Sequence, residues 1–321
     1  MIRPGLSLLL ALIFLPLTQG APPIPAPVTA LAFTPDASLL VAARPRTLLL
    51  FPSIEPLPPK SIPIDLPKIT CLAIHPDSSR LWIGGGIPGE SGVIVELALP
   101  GGTEIRRWTR SSDLIQAVAL HPGQQSLIHS TADQLQSLAL DPDSASTPLT
   151  FNGHSGRVLG IAFAPDTSLL VSVAADRAVK VWSPRNASLL RSFGHHTEAP
   201  QVIAFQPGAT PPTCATAGDD RTLRIWQPGI GRMVRIVRHH HGSILALAYA
   251  HDGQSLYSAG TEGIVRRIDS TSDQVLHSWP ASSDWLLSLA TDPRSPRLAT
   301  GDATGTISLW IPDGTALWHW P

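Results

Sequence analysis

An alanine recurs seven times along the chain, at intervals of 41 to 46 residues. Each copy follows an aliphatic residue, and in six of the seven copies a proline stands three positions later. The seven residues are Ala32, Ala73, Ala119, Ala162, Ala204, Ala248 and Ala290. A repeat carried through almost the whole chain constrains the fold strongly, because every copy must adopt the same supersecondary unit.

The stretch from Gly153 to Trp182 is the clearest copy of the repeat. Its apolar runs VLGIAF, SLLVSVA and AVKVW are separated by Pro165-Asp166 and Asp176-Arg177. Short apolar runs bounded by Pro, Asp and Gly are typical of strands joined by tight turns. A period of about 40 to 45 residues is typical of a four-stranded propeller blade. We therefore predict an all-β fold, a seven-bladed β-propeller of four-stranded antiparallel blades.

The repeated alanine has a physical interpretation in such a ring. A sheet of four short strands needs neighbours to bury its faces, and the first strand of each blade lies closest to the central axis. We therefore expect the small side chain to be selected where the seven first strands crowd together at the hub.

The same stretch resembles a WD-repeat unit. Gly153-His154 and Val181-Trp182 stand where that family has its Gly-His and Trp-Asp signatures, although no Trp of this chain is followed by Asp. In that family a His, a strand hydroxyl, a turn Asp and the Trp form one hydrogen-bonded network. The resemblance implies this network in two blades. Its members are His154, Ser172, Asp176 and Trp182 in blade four, and His196 (or its neighbour His195), Thr216, Asp220 and Trp226 in blade five.

The resemblance extends over residues 28–320 but weakens outside these two blades. Blade six keeps the His and the hydroxyl, with an acid and an isoleucine at the other two positions: His240, Ser258, Glu262 and Ile268. Blade seven keeps the hydroxyl and the Trp, with a threonine at the acid position and a serine at the His position: Thr300, Trp310, Thr304 and Ser282.

The N-terminal segment has a different composition. Arg3 is followed by an apolar run from Leu6 to Leu17 and then by small residues around Gly20. This order is typical of a secretory signal peptide, and the run is shorter than the ~20 residues of a membrane span. An uncleaved anchor is the alternative. The predicted division of the chain is a signal peptide over 1–20, a proline-rich stem over 21–27 and a WD-repeat β-propeller over 28–321. We therefore expect a periplasmic or secreted protein with no integral membrane span after signal removal.

Charge and cysteine content exclude several classes of function. The formal net charge is −1, so no overall field favours nucleic acid as a partner. Cys71 and Cys214 fall in different blades, where we expect them to be further apart than the ~7 Å of a disulfide, so no bridge is predicted.

A glycine-rich run over 84–89 is expected as an insertion, without the Lys of a phosphate-binding loop. No catalytic motif is present, so we predict a non-catalytic protein without a cofactor.

Five residues are candidates for binding a protein partner. Loops of blades four and five should open on one face of the ring, and Trp285 aligns with Arg157 of blade four. Arg and Trp are enriched at binding hot spots. The candidates are Arg157, Arg177, Asp219, Arg221 and Trp285. They support the hypothesis of an interaction scaffold for protein partners, itself a monomer.

Two rival functions stay open. One is an accessory subunit of an envelope redox or hydrolase complex. The other is a propeller that binds a metal or small molecule at the channel mouth, with His239, His240 and His241 as ligands, since imidazoles suit Zn, Cu or Ni. His240 is in register with His154, which favours a structural role for this cluster.

The C-terminal segment predicts how the ring closes. The tail IPDGTALWHW parallels WQPGIGRMVRIV of blade five, so blade seven should supply its own outer strand. We expect closure by packing of blade seven on blade one, without strand exchange, and Trp318 and Trp320 packed against blade one or the stem.

Overall fold

The protein is a ring of seven four-stranded sheets. The computed structural model describes residues 26–52, 57–121, 123, 126–141 and 147–321, and these residues form 28 β-strands and no helix. Every four consecutive strands form one antiparallel sheet in sequential order. The prediction of a seven-bladed β-propeller is thereby confirmed. The predicted signal peptide over 1–20 and all of the stem before Ala26 lie outside the described residues.

The strands follow the repeat along the chain. Blades one and two comprise β1 (Ala30–Phe33), β2 (Leu39–Arg44), β3 (Thr47–Pro52), β4 (Lys60–Pro63), β5 (Lys68–Ile74), β6 (Arg80–Ile87), β7 (Ser91–Ala98) and β8 (Thr103–Ser111). Blades three and four comprise β9 (Val118–Leu120), β10 (Ser126–Ser130), β11 (Leu135–Ala139), β12 (Thr150–Phe151), β13 (Val158–Phe163), β14 (Leu170–Ala174), β15 (Val179–Trp182) and β16 (Leu189–Phe193).

The last three blades are equally regular. Blade five comprises β17 (Pro200–Phe205), β18 (Cys214–Gly218), β19 (Leu223–Gln227) and β20 (Arg232–Val237). Blade six comprises β21 (Ile244–Tyr249), β22 (Ser255–Gly260), β23 (Ile264–Asp269) and β24 (Val275–Pro280). Blade seven comprises β25 (Leu286–Thr291), β26 (Leu298–Asp302), β27 (Ile307–Trp310) and β28 (Ala316–Trp320).

Seven buried apolar clusters hold the ring together, one between each pair of neighbouring blades. Trp82, Trp182 and Trp226 are the largest fully buried side chains. Each packs towards a neighbouring blade: Trp82 lies between blades two and three, Trp182 between three and four, and Trp226 between four and five. Burying a large side chain stabilises a fold by ~1.5–3 kcal/mol, so these interfaces carry much of the stability.

The repeated alanines occupy the first strands, but they do not form the wall of the central channel. A cavity of about 310 Å³ lies between the first strands of blades one, two, five, six and seven, and its lining includes the aliphatic residues that precede the alanines, such as Leu31, Leu72 and Leu247. Ala73 and Ala248 instead pack into the clusters shared with the following blade. Neighbouring residues of a strand point to opposite sides. The expectation that the methyl groups meet at the hub is therefore wrong, because they face the next blade.

Blade seven packs on blade one, and no strand is exchanged between them among the described residues. Its outer strand is β28, and no described residue from the N-terminal side joins its sheet. The amide of Val28 donates to the Asp302 carbonyl at 3.0 Å across the seam. Phe51 stacks on Trp318 with ring centroids 5.3 Å apart and meets Trp320 edge-on at 5.9 Å. The predicted packing of blade seven and of both tryptophans on blade one is confirmed. The absence of strand exchange by residues 21–25 stays a prediction, because they lie outside the described residues.

The glycine-rich run of blade two differs from its prediction as an insertion. Gly84, Gly85 and Gly86 lie inside β6. A Cβ on Gly85 would stand 2.0 Å from the Lys68 carbonyl oxygen, and one on Gly84 would stand 2.5 Å from the Cys71 sulfur. Glycine is needed here because the strands approach too closely for a side chain. Cys71 and Cys214 are free thiols in β5 and β18.

Candidate functional site

Blade four contains a buried chain of four side chains. The Trp182 indole N–H donates to the Ser172 hydroxyl at 2.8 Å, and the Ser172 oxygen lies 2.8 Å from Nε2 of His154. Nδ1 of His154 lies 2.9 Å from the Asp176 carboxylate. The Ser172 hydroxyl accepts the indole N–H and donates its own O–H to Nε2 of His154, and the Nδ1–H of His154 donates to Asp176. This order of donors leaves no buried polar side-chain atom of these four residues without a partner.

The charges of this network are set by burial and hydrogen bonding. Burial lowers the pKa of His154 below its ordinary value, although Asp176 opposes the change. Burial alone would raise the pKa of Asp176, but the Ser155 and Ala178 amides and His154 together hold that pKa below its usual range. The imidazole is therefore neutral and the carboxylate ionised at neutral pH, which preserves the donor order described above.

Blade five repeats the arrangement with Thr in place of Ser. The Trp226 indole donates to the Thr216 hydroxyl at 2.8 Å, and His196 joins that hydroxyl to Asp220 with two contacts of 2.8 Å. Arg224 adds an ion pair with Asp220 at 3.3 Å. The structure thus brings together all eight residues that the family resemblance implies.

Blades six and seven use altered versions of the network. In blade six His240 contacts Ser258 at 2.9 Å, and Arg266 supports Glu262 at 2.8 Å. In blade seven the acid is Asp302, not Thr304. Ser282 donates to Asp302 at 2.7 Å, and Thr304 is itself a donor to the same carboxylate at 2.7 Å. The acid of blade seven thus stands two positions earlier than Asp176 does in blade four.

The Asp–His–Ser order of blade four resembles that of hydrolase triads, but its hydroxyl cannot reach a substrate. Ser172 is 0% exposed, and its oxygen accepts the Trp182 indole N–H. A nucleophile needs a free, accessible oxygen. The network therefore acts by holding the loop that enters blade four against the turn between β14 and β15.

These loops open on one face of the ring. Each sheet is antiparallel and sequential, so the loop entering a blade and the turn between its second and third strands emerge at the same end. We call this end the top face; it includes Arg157 and Arg177 of blade four, Asp219 and Arg221 of blade five, and Trp285 of blade seven.

Ion pairs between neighbouring blades order part of the top face. Arg157 pairs with Asp113 of blade three at 2.8 Å, and Arg177 faces Glu198 of blade five at 3.7 Å. Asp113 also accepts the Gly89 amide at 2.8 Å. The Arg157–Asp113 ion pair thus links blades three and four. The longer Arg177–Glu198 pair is exposed to solvent and adds little to stability.

An unfavourable backbone conformation is shared by three described arginines of the top face, Arg46 (φ +60°), Arg177 and Arg221. Arg177 has φ +65° and Arg221 has φ +60°, each directly after the network aspartate. In the equivalent turns of blades six and seven the residue is Gly263 with φ +68° and Gly305 with φ +94°. The left-handed region costs a non-glycine residue about 1–2 kcal/mol. Arg177 and Arg221 are therefore held where the fold alone would favour glycine.

The remaining candidates are distributed around the same face. Asp219 accepts a hydrogen bond from Gln201 at 2.8 Å, which holds its carboxylate in place. Trp285 is 53% exposed, more than any other tryptophan of the described residues. It belongs to blade seven, two blades away from Arg221, so a single partner would have to span part of the ring to contact both.

The histidine cluster of blade six does not converge on one point. His240 is buried in its network, whereas His239 reaches a backbone carbonyl, that of Asp273, at 3.0 Å. His241 is exposed. No group of three or more His, Cys, Asp or Glu side chains suited to a metal ion occurs in the described part of the chain. The three neighbours in sequence therefore point in different directions.

Sequence reasoning missed the acids of the top face. Asp113 and Glu198 each stand six positions before the repeated alanine of their blades, Ala119 and Ala204. Comparing these two blades position by position would have indicated them. The role of Asp302 had no such signal, because the equivalent residues of blades four to six are Ala174, Gly218 and Gly260.

The fold and the buried network define a class, the β-propellers built from WD repeats. The model of the family described as "WD domain, G-beta repeat" matches four segments, residues 146–183, 187–227, 231–269 and 273–310. Blades four to seven are therefore WD40 repeats, and the chain is a WD-repeat β-propeller protein.

Several characterised proteins are similar to this chain over part of their length. Human striatin-4 is 28% identical over 204 residues, which cover 60% of this chain and 27% of striatin-4. Human WD repeat-containing protein 90 is 25% identical over 258 residues, covering 77% and 14%. Transcription initiation factor TFIID subunit 5 of Caenorhabditis elegans is 42% identical over 65 residues, covering 19% and 10%. The chain thus matches only a minor part of each relative. Within the described residues there is no apolar helix of membrane-spanning length.

Proposed function

We propose that this chain is an exported, non-catalytic WD-repeat scaffold whose top face binds a protein partner. The contact residues are Arg157, Arg177, Asp219, Arg221 and Trp285. Arg and Trp contribute strongly to binding energy at protein interfaces, and loops on a rigid scaffold are common binding sites. The similarity to a protein named as a subunit of a transcription initiation factor supports a role in assembly.

The left-handed arginines carry this proposal. Arg177 and Arg221 occupy a backbone position at which blades six and seven have glycine. Backbone strain of this kind clusters at functional sites. Both side chains are exposed, so they offer guanidinium groups to a partner. Guanidinium groups bind carboxylates in a bidentate manner, and the expected partner therefore presents an acidic surface.

The test compares capture by the wild type and by the double variant R177G/R221G. Tagged full-length protein is crosslinked in its own cells, purified, and the co-purifying proteins are identified. Loss of two hot-spot arginines should reduce capture of the specific partner about tenfold or more, because each such side chain contributes more than about 1 kcal/mol. The identity of the captured protein also distinguishes a general scaffold from an accessory subunit of an envelope enzyme complex.

A matched control uses an arginine on the other face. Arg185 is exposed in the turn between β15 and β16, at the opposite end of blade four. R185A should capture as much partner as the wild type. Equal capture by R177G/R221G and the wild type would contradict the proposed binding face, and W285A provides an independent check on blade seven.

Export is the second part of the proposal. An Arg followed by a dozen apolar residues and then small residues supports a cleaved signal over 1–20. N-terminal sequencing of the protein from the periplasmic or secreted fraction is expected to begin at Ala21. Protein that retains Met1 and remains in the cytoplasmic fraction would contradict export while leaving the binding face unaffected.

A further inference from the structure

We propose that a small pocket between blades six and seven binds the carboxylate group of a ligand. The pocket lies where the β21–β22 and β25–β26 loops emerge, at the end of the ring opposite the top face, and we call this end the bottom face. It encloses about 30 Å³. The pocket shares no residue with the proposed top-face contacts, so this inference does not depend on them.

Two polar residues of the pocket stand where most blades are apolar. Tyr257 on β22 and Arg267 on β23 are directly opposite each other, and Tyr257 is in register with the repeated Ala248. The equivalent pairs of blades one, four, five and seven are Val41 with Leu50, Val171 with Val181, Ala215 with Ile225, and Ala299 with Leu309. All of these apolar residues are at most 3% exposed. The fold alone therefore does not require a charged group or a phenol at this position.

The guanidinium of Arg267 is only partly satisfied. Arg267 is half-buried, and its Nε donates to the Ser255 hydroxyl at 2.9 Å. Its two terminal nitrogens have no hydrogen-bond or ion-pair partner among the described residues. In blade two the charged residue at the equivalent position, Glu96, is paired with Arg80 at 3.2 Å. A charge that is partly removed from water is stabilised by a counter-ion, and Arg267 lacks one within the described chain.

Tyr257 provides a second donor beside this guanidinium. Tyr257 is 3% exposed and belongs to the apolar cluster between blades six and seven. Its phenol O–H has no hydrogen-bond partner in the part of the chain that the structure describes. Burial raises the pKa of Tyr257 above its ordinary value, so the phenol keeps its proton at neutral pH. Buried polar groups normally have partners. The phenol and the guanidinium thus form a pair of donors on one face of blade six that lacks an acceptor.

The other charged groups of the pocket and its size favour one small anion. Arg297 is neutralised by Asp292 through a contact of 2.5 Å. Asp252 is exposed, and its carboxylate accepts the Gln254 amide at 2.9 Å. A water molecule needs at least ~10–15 Å³ of such space. The pocket, at about 30 Å³, therefore has room for the two oxygens of a carboxylate but not for the four oxygens of a phosphate.

The walls of the pocket suit a carboxylate that is carried on a short carbon chain. A guanidinium can donate two parallel N–H bonds to a carboxylate, and the phenol O–H adds a third donor. Pro296 and Pro312 line the pocket from two loops of blade seven and present apolar surface beside these donors. An acidic side chain of a partner and a small organic acid both combine a carboxylate with a short carbon chain, so the test distinguishes these two sources.

The test is a titration of the isotope-labelled full-length protein, followed through its backbone amide signals by NMR spectroscopy. The probes are sodium propionate and the peptide acetyl-Ala-Glu-Ala-amide, each added at constant ionic strength against sodium chloride. We expect saturable shifts of the amides near Asp252 and Ser295, with a Kd in the millimolar range because so small a group makes few contacts. A peptide Kd at least about threefold lower than that of propionate would assign the pocket to an acidic side chain of a partner. Any other ratio would assign it to a small organic acid.

Two variants test the donors separately. Arg267→Leu gives blade six the residue type that Leu309 provides in blade seven, so it should fold normally and bind both probes at least about tenfold more weakly. Tyr257→Phe removes only the hydroxyl and should weaken binding about three- to tenfold. Urea unfolding checks the fold of both variants. A purely structural role of Arg267 would instead lower the stability of Arg267→Leu and leave its affinity for the probes unchanged.

Matched controls separate this pocket from other surfaces. Arg294 is an exposed arginine of the same β25–β26 loop that does not line the pocket, so Arg294→Gln should bind both probes like the wild type. R177G/R221G should also bind them like the wild type, which keeps this result independent of the top face. The glutamine analogue of the peptide, which has no carboxylate, should not bind.

Four results would overturn the proposal. The first is the absence of saturable shifts with either probe, which would leave the pocket to water alone. The second is equal affinity of Arg267→Leu and the wild type for both probes. The third is equal binding of the glutamate peptide and its glutamine analogue. The fourth is tighter binding of inorganic phosphate than of propionate, which would contradict the argument from size.

Discussion

Arg177 in blade four occupies the same turn position as Gly263 in blade six. Each donates its amide to the carbonyl three residues earlier, at 3.0 and 3.2 Å, and each has φ between +65° and +68°. The surroundings differ, since a Cβ on Gly263 would stand 2.2 Å from the Ser282 carbonyl oxygen. Blade four can therefore hold a side chain where blade six cannot.

Replacing Arg177 by Gly is expected to leave stability unchanged or to raise the free energy of unfolding by up to about 1 kcal/mol, because the left-handed strain is relieved. Urea unfolding of the purified variant measures this. Gly263→Ala is the reciprocal control, and it should lose more than about 1 kcal/mol through its clash with the Ser282 carbonyl. A loss of stability in Arg177→Gly comparable to that of Gly263→Ala would show that the arginine serves the fold.

Ser172→Ala is expected to lower the free energy of unfolding by about 2–3 kcal/mol. The variant leaves the Trp182 indole N–H and Nε2 of His154 buried without partners, and each such group costs about 1–3 kcal/mol. Ser168→Ala also removes one serine hydrogen bond, at 2.6 Å to Asp166, but in solvent. That control should lose less than about 1 kcal/mol by urea unfolding. Similar losses in both variants would mean that the network is not a structural element.

Stability should fall as the pH is lowered from about 6.5 towards 4. Burial in β10, with a smaller effect of Arg110, lowers the pKa of His129 to about 4, against about 6.5 in the unfolded chain. The unfolded state therefore binds the proton more readily throughout this window. The contribution of His129 to the free energy of unfolding is complete above the pKa of the unfolded chain, about 6.5, and is lost as the pH falls. Between pH 7 and pH 5 this residue alone accounts for about 2 kcal/mol.

The variant His129→Leu tests that assignment. Its difference in unfolding free energy between pH 7 and pH 5 should be about 2 kcal/mol smaller than that of the wild type. His251→Gln, a change at an exposed histidine, should leave the difference unaltered. Burial of His240, together with the Arg266 charge, also lowers its pKa to about 4, so part of the pH dependence will persist in His129→Leu.

Gly85→Ala is expected to destabilise the protein by about 3 kcal/mol or to prevent folding. The added Cβ would lie 2.0 Å from a backbone oxygen, that of Lys68, which cannot move without breaking the β5–β6 ladder. Gly101→Ala, with its nearest neighbour at 3.6 Å, should change stability by less than about 0.5 kcal/mol. Expression and thermal unfolding of the two variants decide the point.

Much of this architecture could be predicted from the sequence because the repeat constrains every blade in the same way. The period and the apolar alternation were sufficient for the seven sheets, and the resemblance to WD repeats implied the networks around Ser172 and Thr216. The side to which Ala73 points could not be predicted, because alternation says only that neighbouring residues face opposite ways. The shift from Thr304 to Asp302 depends on side-chain reach in three dimensions. The pairing of Arg157 with Asp113 joins two loops whose distance no local pattern encodes.

Each blade is built from one uninterrupted stretch of chain, blade seven included. A polypeptide emerging from a ribosome or a secretion channel could therefore complete its sheets one after another, without waiting for a distant terminus to return. Only the last joint, where Trp318 meets Phe51, has to wait until blade seven has been made. Until then the ring is open, and the faces of blades one and seven that will pack together expose apolar surface. Chaperones would be expected to cover this surface.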